Sequence, residues 1–339
     1  MRYFYENNES MEMERHTIVQ PASGNEGDHS HQCTTRVTVV GAGAVGLSWT
    51  GLFLANGLSV TIHDPRPDIK IAVLSGLESI KWSLEDLGYR IEKFTQRLCF
   101  EDRLHKAVAD ADIIQESIPE DAETKQSLYE KLGRFARPSA LILSSSSSLS
   151  ASVITQRMKD AHRVLIGHSF DAPHLMPLVE VVPGNKTSRD CIDRAMAFYR
   201  SIGKWPVLIG KEVSGFVANR LHFALLRESI HLVNTGVISI EALDQLVKAS
   251  LGPRWSAAGP FKTLALGGGG EGIGRFLERS GPMMENVWRG LGQVDLDDQT
   301  CVRLRKQSDD CYARVPVDDL IKARDEEQIA ILKVLRNKK

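Results

Sequence analysis

The sequence predicts an α/β protein: a doubly wound, mostly parallel sheet followed by an all-helical C-terminal domain. Two observations support this fold class. Up to about residue 212, short apolar or β-branched runs alternate with segments of helical period, which is typical of a parallel sheet with crossover helices. Beyond residue 212 only helical periodicity recurs, as in the apolar positions from Val217 to Leu232.

The first three elements are a β-branched strand at 37–40, a helix at 44–58 and a second strand at 59–63. Further strands are predicted at 112–118, 140–143, 163–167, 178–182 and 206–209. In the C-terminal part, helices are predicted at 240–251 and 318–335, and Gly236 is a stop signal for the helix before them. We therefore divide the globular chain into domains at 35–212 and 213–339.

Size, composition and charge exclude several classes of function. The chain has 339 residues, of which 42% are hydrophobic and 25% charged, as expected for a two-domain globular protein. A net charge of −1 gives no general attraction to nucleic acid or to an anionic membrane. No apolar run reaches the roughly 18 residues that a membrane helix needs. A small-molecule partner is therefore predicted, rather than nucleic acid or membrane.

The cysteines and the N-terminal segment bear on location. The five cysteines are widely spaced and form no CxxC pair, so neither a metal site nor a disulfide framework is predicted. Residues 1–34 are polar, have no helical period and lack the apolar core of a secretion signal. We predict a disordered extension at 1–34 and a cytoplasmic location.

A glycine-rich turn follows the first strand. Gly41, Gly43 and Gly46 form a GxGxxG pattern between a predicted strand and a predicted helix, and Asp64 ends the next strand. In a Rossmann-type fold these glycines allow the tight turn, the approach of a pyrophosphate and close packing of helix on strand. The residues of this turn that are predicted to contact a dinucleotide are Gly41, Gly43, Ala44, Val45 and Gly46.

Asp64 favours NAD over NADP. A carboxylate at this position accepts hydrogen bonds from the ribose hydroxyls and repels a 2′-phosphate. Arg66 lies two residues further on and weakens this preference, since it could offset the repulsion. The sequence therefore predicts NAD as the cofactor.

Four polar residues stand at places where catalytic groups occur in α/β enzymes. Ser147 lies in a run of five serines after a predicted strand, His168 ends a strand, Glu180 lies in the apolar segment LMPLVEVVPG, and Asn219 stands in an early turn of the first C-terminal helix. Each also has an ordinary structural explanation. Ser147 could be a linker or turn residue and His168 a structural histidine. Glu180 could be an edge-strand carboxylate and Asn219 a helix cap. None of them predicts a function when taken alone.

Taken in order, the motifs resemble the L-3-hydroxyacyl-CoA dehydrogenase family. The segments that carry the resemblance are GAGAVG with Asp64, QESIPED, LSSSSSL, GHSFDAPHLMPLVEVVPG and SGFVANRL. The likeness is greatest to the lambda-crystallin branch, which includes L-gulonate 3-dehydrogenase and has a serine run at this place. That branch also has a stretch like LGPRWSAAGPF at 251–261, where L-carnitine dehydrogenase is similar too. The resemblance covers roughly residues 35–335.

The resemblance implies a reaction and roles for the residues in it. His168 would be the general base that oxidises a 3-hydroxyl group together with NAD, and Glu180 its carboxylate partner. Ser147 and Asn219 would bind the substrate oxygen, with Ser147 also near the cofactor. Glu120 and Lys125 match positions that contact NAD. The helical domain would form a homodimer.

Two positions bear on cofactor and substrate. Relatives carry Asn-Pro where this chain has Asp171-Ala172, and Asp171 thus replaces an asparagine that contacts the cofactor. Arg254 lies where the lambda-crystallin branch has an arginine, and a guanidinium there could bind a free carboxylate in bidentate fashion. A surface or packing role for Arg254 stays open. A 3-hydroxyacyl thioester as substrate also stays open, as does a non-catalytic NAD-binding or crystallin-like protein on the same fold.

Overall fold

The computed structural model describes residues 35–336, so the segment 1–34 that we predict to be disordered lies outside the described residues. The chain divides into two compact units. Within the described residues, the first unit comprises 35–217 and 325–336, and the second comprises Ala218–Arg324.

The strands of the described residues form one eight-stranded sheet in the order β3-β2-β1-β4-β5-β6-β7-β8. Their bounds are β1 Arg36–Val40, β2 Ser59–His63, β3 Leu98–Phe100, β4 Ile113–Glu116, β5 Leu141–Ser144, β6 Val164–Ser169, β7 Leu178–Pro183 and β8 Trp205–Leu208. Neighbouring strands are parallel except β6 and β7, which are antiparallel. The predicted doubly wound, mostly parallel sheet is confirmed.

Helices cover both faces of this sheet, and for this reason its central strands β1 and β4 to β7 are buried along nearly their whole length rather than at alternate residues. The helices of the first unit are α1 Ala44–Ala55, α2 Ile69–Asp86, α3 Leu104–Ala109, α4 Ala122–Phe135, α5 Ala151–Ile154 and α6 Arg189–Ser201. On one face, Trp49 and Phe53 of α1 pack with Tyr199 of α6. On the other face, Tyr129 and Leu132 of α4 are fully buried against β4 and β5.

The second unit is helical throughout its described length. Its helices are α7 Ala218–Asn234, α8 Ile240–Ala249, α9 Leu251–Ala257, α10 Pro260–Gly267, α11 Gly272–Arg289 and α12 Asp298–Tyr312. The connection between α10 and α11 is close, since a Cβ on Gly268 would lie 1.7 Å from the Gly272 carbonyl oxygen. The predicted all-helical C-terminal region is confirmed.

The last helix, α13 Val317–Arg336, belongs to both units, because its residues from Asp325 onward cluster with the first. There Ile329 and Leu332 are buried, and the Lys333 ammonium donates to the Asp86 carboxylate. The sequence-based division placed all of 213–339 in the helical domain. Periodicity shows that a helix has an apolar face but not which unit that face packs against, so the two divisions differ here.

No helix within residues 35–336 is long and apolar enough to cross a membrane.

Candidate active site

The turn after β1 has the geometry that a dinucleotide requires. Gly41 has a positive φ of 87°, and a Cβ there would lie 2.8 Å from the Ser117 carbonyl oxygen. A Cβ on Gly46 would lie 2.0 Å from the Gly41 carbonyl oxygen, whereas one on Gly43 would meet no atom within 4 Å. Gly41 and Gly46 are therefore required by the fold, and the open space at Gly43 is where a pyrophosphate can approach the N-terminus of α1. These residues fit NAD.

Asp64 follows β2 and is held beside this turn. Its Oδ2 accepts a hydrogen bond of 2.9 Å from the Ala42 backbone amide, and the Arg66 side chain donates to both carboxylate oxygens. Burial opposes ionisation of the carboxyl group, but the hydrogen bonds from Arg66 and Ala42 outweigh it and lower the pKa of Asp64. Asp64 is therefore an ionised acceptor beside the glycine-rich turn.

The serine run forms an ordered loop around Glu120. Glu120 Oε1 accepts hydrogen bonds from the Ser146 hydroxyl at 2.6 Å and from the backbone amides of Ser147, Ser148 and Leu149 at 3.0, 2.8 and 3.1 Å. Burial disfavours the charged carboxylate, yet these donors and the nearby Lys125 lower the pKa of Glu120 to about 2. The run is therefore a fixed loop and not a linker, with Glu120 as its centre.

Beneath this loop lies a buried ion pair whose acidic member the sequence analysis missed. The Lys125 ammonium is 2.6 Å from Glu116 Oε1, and the two side chains are 1% and 0% exposed. The hydroxyls of Ser144 and Tyr129 donate to Glu116 Oε2, and the Ile118 backbone amide donates to Oε1. The available signal was a carboxylate ending the apolar strand β4, followed by a lysine on the next helix.

His168 and Glu180 form a buried pair across β6 and β7. They are direct partners in the antiparallel register, with 2.8 Å between His168 Nδ1 and Glu180 Oε2. Glu180 Oε1 accepts a hydrogen bond of 2.9 Å from the Val217 amide, and the Phe216 ring lies 5.3 Å from the imidazole. Because a carboxylate only accepts, Nδ1 carries the hydrogen, and Nε2 is the nitrogen that can take up a proton.

The segment after His168 is anchored by residues that the sequence analysis did not identify. The buried Lys204 ammonium donates to the carbonyl oxygens of Pro173 and Met176. The His174 backbone amide donates to the Ser48 hydroxyl of α1 at 2.8 Å. Burial lowers the pKa of Lys204 to about 7. These contacts connect the segment behind the histidine to the nucleotide-binding helix.

The remaining candidates are divided between the two units. Ser147 is exposed at the carboxyl end of β5, next to the strand that carries His168, and Asp171 is exposed after β6. The peptide bond between Asp171 and Ala172 is cis. Asn219 lies in the first turn of α7 and Arg254 is exposed on α9, both in the second unit. The first unit thus brings together His168 and Glu180, and it places Ser147 after β5, the strand that neighbours β6.

Within residues 35–336, no group of three or more His, Cys, Asp or Glu side chains is arranged to hold a metal ion.

Two family models match the chain. One is described as 3-hydroxyacyl-CoA dehydrogenase, NAD binding domain, and matches residues 36–213. The other is described as 3-hydroxyacyl-CoA dehydrogenase, C-terminal domain, and matches residues 215–291. The two matches meet between β8 and α7, close to the division between the two units.

Curated relatives and a solved structure are similar over most of the chain. An L-carnitine dehydrogenase of Oceanobacillus iheyensis is 35% identical, over 89% of this chain and 98% of the relative. A 3-hydroxyacyl-CoA dehydrogenase of Gibberella moniliformis is 40% identical, over 85% of this chain and 91% of the relative. The structure of 5-formyl-3-hydroxy-2-methylpyridine 4-carboxylic acid 5-dehydrogenase, described as an NAD⁺-dependent dismutase, has a TM-score of 0.77 and 25% identity, over 90% of this chain and 100% of that chain.

Proposed function

Because the chain belongs to the 3-hydroxyacyl-CoA dehydrogenase family, we propose that it interconverts the 3-hydroxy and 3-keto forms of a short, free L-3-hydroxy acid. It is an NAD-dependent oxidoreductase that acts on the CH–OH group of 3-hydroxy substrates. The free acid is the part that we propose. The buried pair of His168 and Glu180 is the observation that carries the chemistry.

Each residue of the pair has a defined task in this mechanism. His168 Nε2 removes the proton of the substrate hydroxyl as the C–H bond breaks, and in the reverse direction it returns that proton to the ketone oxygen. Glu180 holds the ring with Nε2 free and stabilises the imidazolium that forms. Ser147 and Asn219 bind the substrate oxygen and polarise it in the ketone. The dinucleotide, when bound, supplies the hydride acceptor.

The turn from Gly41 to Gly46 and Asp64 bind the dinucleotide in this proposal. Glu120 and Lys125 contribute to dinucleotide binding by holding the serine loop in place. Lys125 is buried under this loop, and Glu120 accepts hydrogen bonds from its backbone. Asp171 is expected to weaken binding, because a carboxylate cannot donate the hydrogen bond that an amide donates.

We expect Asp171→Asn to tighten NADH binding, by about tenfold if one hydrogen bond to a polar cofactor group is gained. The reason is that the amide restores a donor at an exposed position beside the catalytic strand. Titration of NADH fluorescence on the two proteins measures the change. Equal affinity of both would show that Asp171 does not contact the cofactor.

Arg254 is the residue that we propose to bind the substrate carboxylate. L-Carnitine, the substrate named for several relatives, is a free 3-hydroxy acid, whereas a CoA thioester has no carboxylate at this end. We expect Arg254→Gln to raise KM for a free 3-hydroxy acid roughly 10- to 100-fold, the range for a lost charged hydrogen bond. Steady-state kinetics with L-carnitine, L-gulonate and 3-hydroxybutyryl-CoA measures this effect.

The thioester is the second candidate, and the similarity to a 3-hydroxyacyl-CoA dehydrogenase favours it. If 3-hydroxybutyryl-CoA alone is turned over, and Arg254→Gln does not affect its turnover, the substrate is the thioester and not the free acid. NADH binding without turnover of any of these substrates would favour the alternative of a non-catalytic, crystallin-like protein.

We also propose that the protein is a homodimer formed through its helical unit. In that unit Val233 is buried, but many large apolar side chains are exposed, among them Phe261 at 74%, Leu266 at 69% and Trp288 at 58%. Large apolar side chains are what protein interfaces bury, and a second copy is the partner always present.

Light scattering after gel filtration should give twice the 37.6 kDa mass of the chain. We expect Phe261→Glu with Trp288→Glu to shift the protein toward the monomer, because charges would be buried in the interface. Ile71→Glu on α2 of the first unit, at 76% exposure, is the matched control. A monomeric wild-type protein at micromolar concentration would contradict the proposal.

A cytoplasmic location completes the proposal. The cysteines within the described residues, Cys99, Cys191, Cys301 and Cys311, are free thiols. Free thiols persist in a reducing compartment, where NAD is also available.

A further inference from the structure

Arg66 is hydrogen-bonded to the Asp64 carboxylate, the group that is expected to bind the adenosine ribose. Its backbone amide and Nε donate to Asp64 Oδ1 at 3.1 and 2.9 Å, and its Nη2 donates to Asp64 Oδ2 at 3.0 Å. Nη2 also donates to the Ala42 carbonyl oxygen at 2.9 Å. The guanidinium therefore bridges the carboxylate and the glycine-rich turn.

These contacts leave Asp64 no acceptor capacity for a ribose. A carboxylate has about four lone-pair positions. Two of those on Asp64 accept from the backbone amides of Ala42 and Arg66, and the other two accept from the Arg66 side chain. The backbone donors are fixed by the turn. A ribose diol can therefore bind Asp64 only when the Arg66 guanidinium moves away from the carboxylate.

The exposure of the Arg66 side chain allows its displacement from Asp64, and a cavity lies near this segment. The Arg66 side chain is 46% exposed, whereas the Asp64 side chain that it pairs with is 6% exposed, so the guanidinium can move into solvent while the carboxylate stays in place. A cavity of about 590 Å³ is lined by Gly41, by His63 and Pro65 on either side of Asp64, and by Ile118. This cavity is large enough for a nucleoside and borders the segment that carries Asp64 and Arg66.

We propose that Arg66 is a second determinant of cofactor choice. It competes with the ribose for Asp64, and after displacement it can pair with a 2′-phosphate. NAD preference in this chain then depends on two opposed groups, the carboxylate that repels the phosphate and the guanidinium that attracts it. Removing either group shifts the preference in a predictable direction.

Binding of NADH and NADPH without substrate tests this inference, so its outcome is independent of which substrate the enzyme turns over. For Arg66→Leu we expect NADH affinity to rise about two- to fivefold, because a surface ion pair no longer competes. NADPH affinity should fall by about tenfold or more, because the phosphate loses a charged partner. For Asp64→Ser, NADPH affinity should rise and NADH affinity should fall.

The double variant and two controls make the test specific. Adding Arg66→Leu to Asp64→Ser should remove the gain in NADPH affinity, while Arg66→Lys should retain most NADPH binding. Arg189→Leu on α6 removes an exposed arginine that pairs with Asp193 and controls for net charge. The inference is overturned if Arg66→Leu changes NADPH affinity no more than Arg189→Leu does, or if it weakens NADH and NADPH equally.

Discussion

Replacement of His168 by alanine is expected to lower turnover by roughly 10²- to 10⁴-fold, the usual loss for a positioned general base. The imidazole is a buried group with an orienting carboxylate on Nδ1, which leaves Nε2 to take up a proton. The glycine-rich turn and Asp64 follow other strands, β1 and β2. NADH should therefore bind His168→Ala with nearly wild-type affinity. Steady-state kinetics and NADH fluorescence, measured on the same preparation, test both halves of this prediction.

Glu180→Gln is the companion variant. Glu180 accepts from His168 through one oxygen and from the Val217 amide through the other. A glutamine has one acceptor oxygen, so it can serve one of these donors but not both. We expect a loss of turnover smaller than that of His168→Ala, with the fold retained as judged by circular dichroism. Wild-type turnover of His168→Ala would rule out the proposed mechanism.

The sequence was sufficient to predict the sheet where its strands are apolar and buried. The seven predicted strands all occur, with no bound shifted by more than two residues. The strand β3 Leu98–Phe100 was missed, because it has only three residues, none of them buried. The antiparallel direction of β7 was not predicted either, since a fully buried strand has the same pattern in both directions.

The candidate site was predictable only in part. The resemblance selected His168 and Glu180, and the register of β6 and β7 explains their contact. Glu116 was missed, because its importance comes from Lys125, Ser144 and Tyr129, which converge on it only in the fold. The role of Arg254 stays a prediction.

The buried pair of Glu116 and Lys125 leads to the second large effect. Lys125→Met should lower the free energy of unfolding by about 3–5 kcal/mol, because it leaves the Glu116 charge buried without its cation. The hydroxyls of Ser144 and Tyr129 and the Ile118 amide remain as donors but carry no compensating charge. Urea unfolding followed by circular dichroism measures the loss. Lys131→Met, an exposed position on the same helix α4, is the matched control and should be nearly neutral.

A double variant separates the strength of the pair from the penalty for breaking it. Adding Glu116→Gln to Lys125→Met removes the uncompensated charge, and a neutral buried pair can be as stable as an ionic one. The double variant should therefore be more stable than Lys125→Met alone, which additive effects do not allow. Additive losses would instead mean that Glu116 remains compensated without Lys125, through its hydroxyl and amide donors. Since Glu116 and Lys125 lie under the loop that Glu120 organises, NADH affinity should fall in Lys125→Met and recover in part in the double variant.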